Sequence, residues 1–162
     1  MRVIKNKEIV EDSWQRLRQE DISEALPEGD IIVPLSFWKE HEELFKGRTG
    51  RFGVCINGDD DMQDVVAGLD QFEIIAVDFP QFKDGRSYSN ARMLRQHYAY
   101  QGEIRAVGDV LRDQLFYMQR CGIDSFQVRS DKDLEDALQG LSDFSVTYQA
   151  AADGAQPVYK QR

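Results

Sequence analysis

The sequence predicts an α/β protein in which strand–helix units build a parallel sheet with right-handed crossovers. Three observations carry that expectation. Apolar runs of strand length stand at 30–35, 51–57, 73–79, 104–108 and 125–129. Each is followed by a segment whose apolar residues recur at helical spacing, at 36–46, 59–69, 89–98, 110–120 and 131–141. Turn residues, among them those at 47–50 and Cys121-Gly122, separate the units, and a last strand is expected at 144–148. A chain of 162 residues is too short for an eight-unit barrel, which needs roughly 200 residues or more. The expectation is therefore an incomplete TIM-like barrel of five or six units with an N-terminal hairpin. A doubly wound open sheet is the alternative that periodicity does not separate from it.

Each element has its own signal. Arg2-Val3-Ile4-Lys5 and Glu8-Ile9-Val10-Glu11 flank Asn6-Lys7 as the arms of a β-hairpin, with Trp14 and Leu17 on a short helical turn after it. Pro27-Glu28-Gly29 breaks the chain before the repeat begins. Phe37, Trp38, Leu44 and Phe45 supply the apolar contacts of the first helix. Asp59-Asp60-Asp61 opens the second, where early carboxylates suit the positive end of the helix dipole; that reading is preferred to a metal site. Ala91, Leu94 and Tyr98 mark one face of the third helix, and Leu111, Leu115 and Met118 the buried face of the fourth. Gly122 supplies the left-handed residue that ends the fourth. The whole reads as one domain over 1–149, with hairpin and turn in 1–26 and the repeat in 30–149. A small, polar, proline-containing tail occupies 150–162.

The composition, 41% hydrophobic and 30% charged, is that of an ordinary soluble protein. A net charge of −9 repels polyanions, which argues against nucleic-acid or anionic-membrane binding. A local group of arginines can still hold a small anion. Cys55 and Cys121 form no C-x-x-C, so a cluster held by four thiolates is out of reach for one chain. His41 and His97 have no metal-ligand spacing. No metal and no cofactor is expected. Without a leader or an apolar run near 18 residues, the expected location is the cytoplasm.

Chemistry concentrates in 78–129. In a parallel sheet ligands bind at the carboxyl ends of the strands, where the segments 78–86, 108–112 and 129–131 converge. Glu103 and Arg105 share a face with Val107 on a strand that should be apolar. Two charges there either pair with each other or line a polar site. Asp109 follows that strand and is placed to cap the next helix through the amides of Leu111 or Arg112. Arg112, Asp113 and Gln114 occupy the same first turn. In Gly85-Arg86-Ser87-Tyr88-Ser89, Gly85 permits a tight turn, and Ser87 or Ser89 can cap a helix. Arg86 beside that helix end would hold a phosphate-, sulfate- or sulfite-like oxyanion. The candidate acid–base residues are Asp109, Glu103 and Asp78. The candidate anion-binding residues are Arg86, Arg105, Arg112, Ser87 and Ser89, with Asp84, Asp113 and Gln114 beside them. Cys55 and Cys121 read as buried small hydrophobes, not nucleophiles. The chain has no G-x-G-x-x-G, Walker loop or nucleophile elbow.

Across Asp84-Gly85-Arg86, Gly102-Glu103-Ile104-Arg105-Ala106-Val107-Gly108-Asp109 and Arg112-Asp113-Gln114, the sequence resembles a bacterial family, domain-of-unknown-function family 934. Its members are described as oxidoreductases of sulfite reduction and are found alongside sulfite reductase. The resemblance extends over the hairpin, the Ile-Ile-Val-Pro-Leu strand and Arg120-Cys121-Gly122. Ser87 stands where the family often has glycine, and Gln96-His97 replace a charged pair. The resemblance implies a role in assimilatory sulfur metabolism.

Three functions follow as expectations. The first is an accessory protein of sulfite reduction that binds a small oxyanion (sulfite, sulfate or phosphate) or docks on sulfite reductase. The second is a small enzyme using Asp109 or Glu103 as acid–base on an anionic substrate held by Arg86 and Arg105. The third is a regulatory interaction protein whose charge cluster is structural. A homodimer is compatible with each.

Overall fold

The N-terminal hairpin forms because Asn6 and Lys7 both take positive φ, 52° and 68°, the backbone of a type I′ turn. It joins β1 (Arg2–Lys5) to β2 (Glu8–Glu11), with Ile4 opposite Ile9. The computed structural model describes residues 1–22, 25–80 and 85–142. The helical turn expected around Trp14 and Leu17 is instead a short strand, β3 (Gln15–Arg16), parallel to β4 (Ile31–Pro34). The Gln15 amide donates to the Asp30 carbonyl at 2.9 Å, and the Leu17 amide to that of Ile32 at 2.8 Å. Trp14 packs on one side of the sheet and Leu17 on the other, which is the two-residue alternation of a strand.

The repeat then runs α1 (Leu35–Glu40), β5 (Phe52–Ile56), α2 (Met62–Val66), β6 (Ile74–Phe79) and α3 (Gly85–Gln96). It continues with β7 (Glu103–Gly108), α4 (Arg112–Arg120), β8 (Ser125–Phe126) and α5 (Leu134–Gln139). α1 stops sooner than its apolar spacing predicts. A 3-10 turn over Glu42–Phe45 takes its place and brings the Phe45 ring to 6.3 Å from that of Phe37. Asp61 caps α2, accepting the Gln63 amide at 2.9 Å, so the acidic triplet is a helix start. Asp133 does the same for α5. Gly122, at φ 101°, follows α4 in the left-handed conformation expected of it. The strand expected at 144–148 and the tail at 150–162 lie outside the described residues.

The eight strands form one sheet in the order β2-β1-β8-β7-β6-β5-β4-β3. From β3 to β8 neighbours are parallel and follow chain order. A doubly wound sheet reverses its strand order at a switch point; this one does not, so that alternative does not fit. Successive right-handed crossovers in one direction put the helices on a single face.

Connectivity also requires the sheet to curl. β2 and β3 are its two edges, yet Asp12-Ser13-Trp14 alone join them. Laid flat, eight strands would hold those edges roughly 33 Å apart. The link from Glu11 to Gln15 reaches about 14 Å at most. The result is a curled, mostly parallel half-barrel. Its helix-covered face packs Val33, Val54, Ile75, Val77, Ile104 and Phe126 against Trp38, Leu94, Leu115 and Met118. On the concave face Trp14 clusters with Ile32, Ile74, Ala76 and Val107, and Cys55 packs against them.

Candidate functional site

The inner positions of β7 carry the charges that sequence alone left ambiguous. Arg105 is 1% exposed and is fully engaged. Its guanidinium donates to both oxygens of Asp12 at 2.8 Å, to Glu103 at 2.7 Å and to the Ser125 hydroxyl at 2.9 Å. Glu103 also pairs with Lys5 at 2.9 Å. Burial alone would raise the Glu103 carboxyl, but Lys5 and Arg105 outweigh it and hold it below its ordinary value. Of the two readings of this face, the structural ion pair is the one observed. The network fastens the Asp12 link, which joins the two edge strands, to a central strand.

The carboxyl ends of the strands are arranged differently. A hollow of about 470 Å³ is lined by Arg16, Arg18 and Glu20 from the β3 side and by Pro34, Cys55, Asn57 and Asp78. Arg16, Arg18 and Gly108 continue into a second hollow of about 910 Å³ toward Arg2 and Arg129. Arg16 on β3 lies two residues after Trp14 in extended chain, so it faces inward as Trp14 does. Among the described residues, neither the Arg16 nor the Arg18 guanidinium lies within 4.0 Å of a carboxylate. Arg16 faces the thiol of Cys55. Burial pushes that thiol up to about 11, while Arg16 draws it down and Asp78 pushes it further up. That shift disfavours the thiolate of Cys55 near pH 7.

Asp78 ends β6 at the same hollow. Its carbonyl accepts the Ser87 hydroxyl at 2.9 Å. Its carboxylate has no hydrogen-bond or ion-pair partner among the described residues. Gly108, at φ 91°, makes room for it: a Cβ at that position would come 2.5 Å from Asp78 Oδ1. Glycine is required there by conformation and by space.

Most other predicted residues have partners of their own. Asp109 does not cap α4, whose N-cap position is Leu111 with no side-chain bond. Its carboxylate instead accepts from Arg129 at 2.9 Å, and Arg129 also reaches Asp131 at 2.9 Å. Arg112 turns to Asp136 at 2.7 Å, and Arg86 to Asp59 at 2.7 Å on the surface. Ser87 and Ser89 cap nothing, because α3 already begins at Gly85. Ser87 is buried on the Asp78 carbonyl, and Ser89 bonds the Gly85 carbonyl at 3.1 Å. Asp113 is exposed and Gln114 half-buried in the first turn of α4. Asp84 lies outside the described residues. Arg86 and Arg105 share no partner, one on the surface and the other inside the sheet.

The residues missed in the sequence are Arg16, Arg18 and Asp12. A two-residue strand leaves a faint trace, and the three-residue spacing of Trp14 and Leu17 resembles a helical turn more than a strand. Among the described residues no group of three His, Cys, Asp or Glu side chains could hold a metal ion. No described helix is long and apolar enough to cross a membrane.

Fold and hollow together define an α/β protein whose open cavity lies where parallel sheets hold their ligands. The chain belongs to a family of bacterial proteins of unknown function (DUF934), whose model matches residues 53–159. The match includes Cys55, Asp78, Gly108, Asp109 and Arg129. Arg16 and Arg18 precede it. No curated protein matches the chain.

Proposed function

We propose that this protein binds a small inorganic oxyanion in the carboxyl-end hollow, held by Arg16 and Arg18, as an accessory to sulfite reduction. The observation that carries the reading is a pair of arginines without carboxylate partners lining one hollow in a chain of net charge −9. Elsewhere Arg2, Arg51, Arg86, Arg95, Arg105, Arg112 and Arg129 each have an acid. Arg48 donates to the Pro27 and Gly29 carbonyls and Arg92 to the Cys121 sulfur. What marks Arg16 and Arg18 is that both line one hollow. Charge-assisted bonds from a guanidinium to an oxyanion contribute about 1.5–3 kcal/mol each, enough for weak, reversible capture. The sulfur-assimilation setting comes from the family resemblance, which makes sulfite the first anion to test and sulfite reductase the partner. We read the curled sheet itself as an incomplete TIM-like barrel. Sequential parallel order and the short β2–β3 link support that reading, and it puts the hollow at the end where such barrels bind.

Calorimetric titration with sulfite, sulfate and phosphate tests the proposal. Binding that disappears in Arg16→Gln/Arg18→Gln but persists in Arg86→Gln is the expected result. Equal heats from wild type and the double variant would remove the site.

A further inference from the structure

The hollow offers more than positive charge. Arg16 enters it from β3 and Arg18 and Glu20 from the segment just after, whereas the Asp78 carboxylate enters from β6. Cys55 on β5 lies between Arg16 and Asp78, influenced by both charges. Had these opposite charges met, they would have neutralised each other and filled the space. They do not pair: among the described residues Asp78 has no donor and neither arginine has an acid. The Asp78 seat is fixed from outside the hollow as well. Its backbone is tied to Ser87, and Gly108 leaves the room its carboxylate occupies. A carboxylate kept open in this way attracts a cationic or hydroxyl donor, which a bare oxyanion on the arginines does not supply.

We infer that the ligand is dipolar: an anionic head, of sulfonate, sulfinate or phosphate type, on Arg16 and Arg18, joined by a short uncharged spacer to an ammonium group on Asp78. This rests on the anion-binding reading and extends it: the same arginines hold the anionic head, and a small zwitterion adds the contact with Asp78 that a bare oxyanion lacks. About 470 Å³ accommodates a molecule of that size. Arg16 supplies planar, paired donors to the head. Asp78 accepts from the ammonium, and the Pro34 and Cys55 side of the hollow packs against the spacer.

Two probes of the same shape separate the inference from the reading beneath it. Taurine and propane-1-sulfonate have matching heavy-atom skeletons and differ in whether the far end is an ammonium or a methyl group. Affinities of both, and of sulfate, are to be measured for wild type, Asp78→Asn and Arg16→Gln/Arg18→Gln, with circular dichroism confirming that each variant is folded. Wild type should bind taurine at least tenfold more tightly than propane-1-sulfonate. Asp78→Asn should bring the two to within about twofold, by weakening taurine alone. The double arginine variant should lose both. Equal affinities in wild type, or a taurine preference that survives Asp78→Asn, would overturn the dipolar ligand and leave anion binding standing. Failure of all three probes to bind wild type would overturn anion binding and the dipolar ligand together.

Discussion

Replacing Asp12 with alanine removes the carboxylate that receives two 2.8 Å bonds from Arg105. Both side chains are nearly inaccessible, at 1% and 5% exposure, so water cannot readily take its place. Breaking a buried pair by deleting one partner costs about 3–5 kcal/mol, because it strands the other charge. Glu103 keeps its own 2.7 Å bond to Arg105, which puts the expected loss near the lower end, about 3 kcal/mol. That is a large share of a stability of about 5–15 kcal/mol. In a domain of this size it corresponds to a fall in Tm of roughly 6–12 °C. Urea unfolding followed by circular dichroism and tryptophan fluorescence measures it, with Trp14 reporting on the same link. In Asp12→Ala/Arg105→Met the stranded cation is gone, so the double variant should be more stable than Asp12→Ala alone. A loss below about 1 kcal/mol for Asp12→Ala, or a double variant weaker than the single, would refute the clamp.

Other consequences follow from single contacts. A Cβ at Gly53 would collide with the Ile74 carbonyl oxygen, so Gly53→Ala should cost about 1–3 kcal/mol in chemical unfolding. The folded Glu103 carboxyl titrates below its ordinary value of 4.5. Its contribution is therefore complete above that value and is lost as pH falls through it toward the lower folded value. Wild type should lose stability on that acid limb more steeply than Glu103→Gln, as urea midpoints between pH 3 and 7 will show. Cys55 at about 11 should resist thiol reagents at pH 7.5 and react faster as pH rises. Arg16→Gln should retard it further by removing the nearby cation.

The strands β4, β6 and β7 were legible because a parallel strand covered on both faces is written as an unbroken apolar run. Glu103 and Arg105 interrupt one such run at a two-residue interval, so their shared face could be read directly. Their purpose could not, because the deciding partner, Asp12, is 93 residues away from Arg105. In sequence β3 resembles a helical turn, because two residues carry too little periodicity to distinguish a strand. That resemblance hides Arg16 and Arg18, and with them the cationic wall of the hollow. Asp109 was rightly placed at the edge of the sheet but assigned the wrong bond. Local spacing favours a cap, and the competing Arg129 lies one strand further on. Doubly wound and singly wound sheets share a periodicity; only the strand order separates them.

The most direct test of the account is a crystal structure grown with sulfite. Anion density is expected in the hollow lined by Asp78 and Gly108, with oxygens bonded to Arg16 and Arg18 and with the Arg105–Asp12 pair unchanged. Density beside Arg86 at the start of α3 with none at Arg16, or a hollow without an anion at millimolar sulfite, would contradict it.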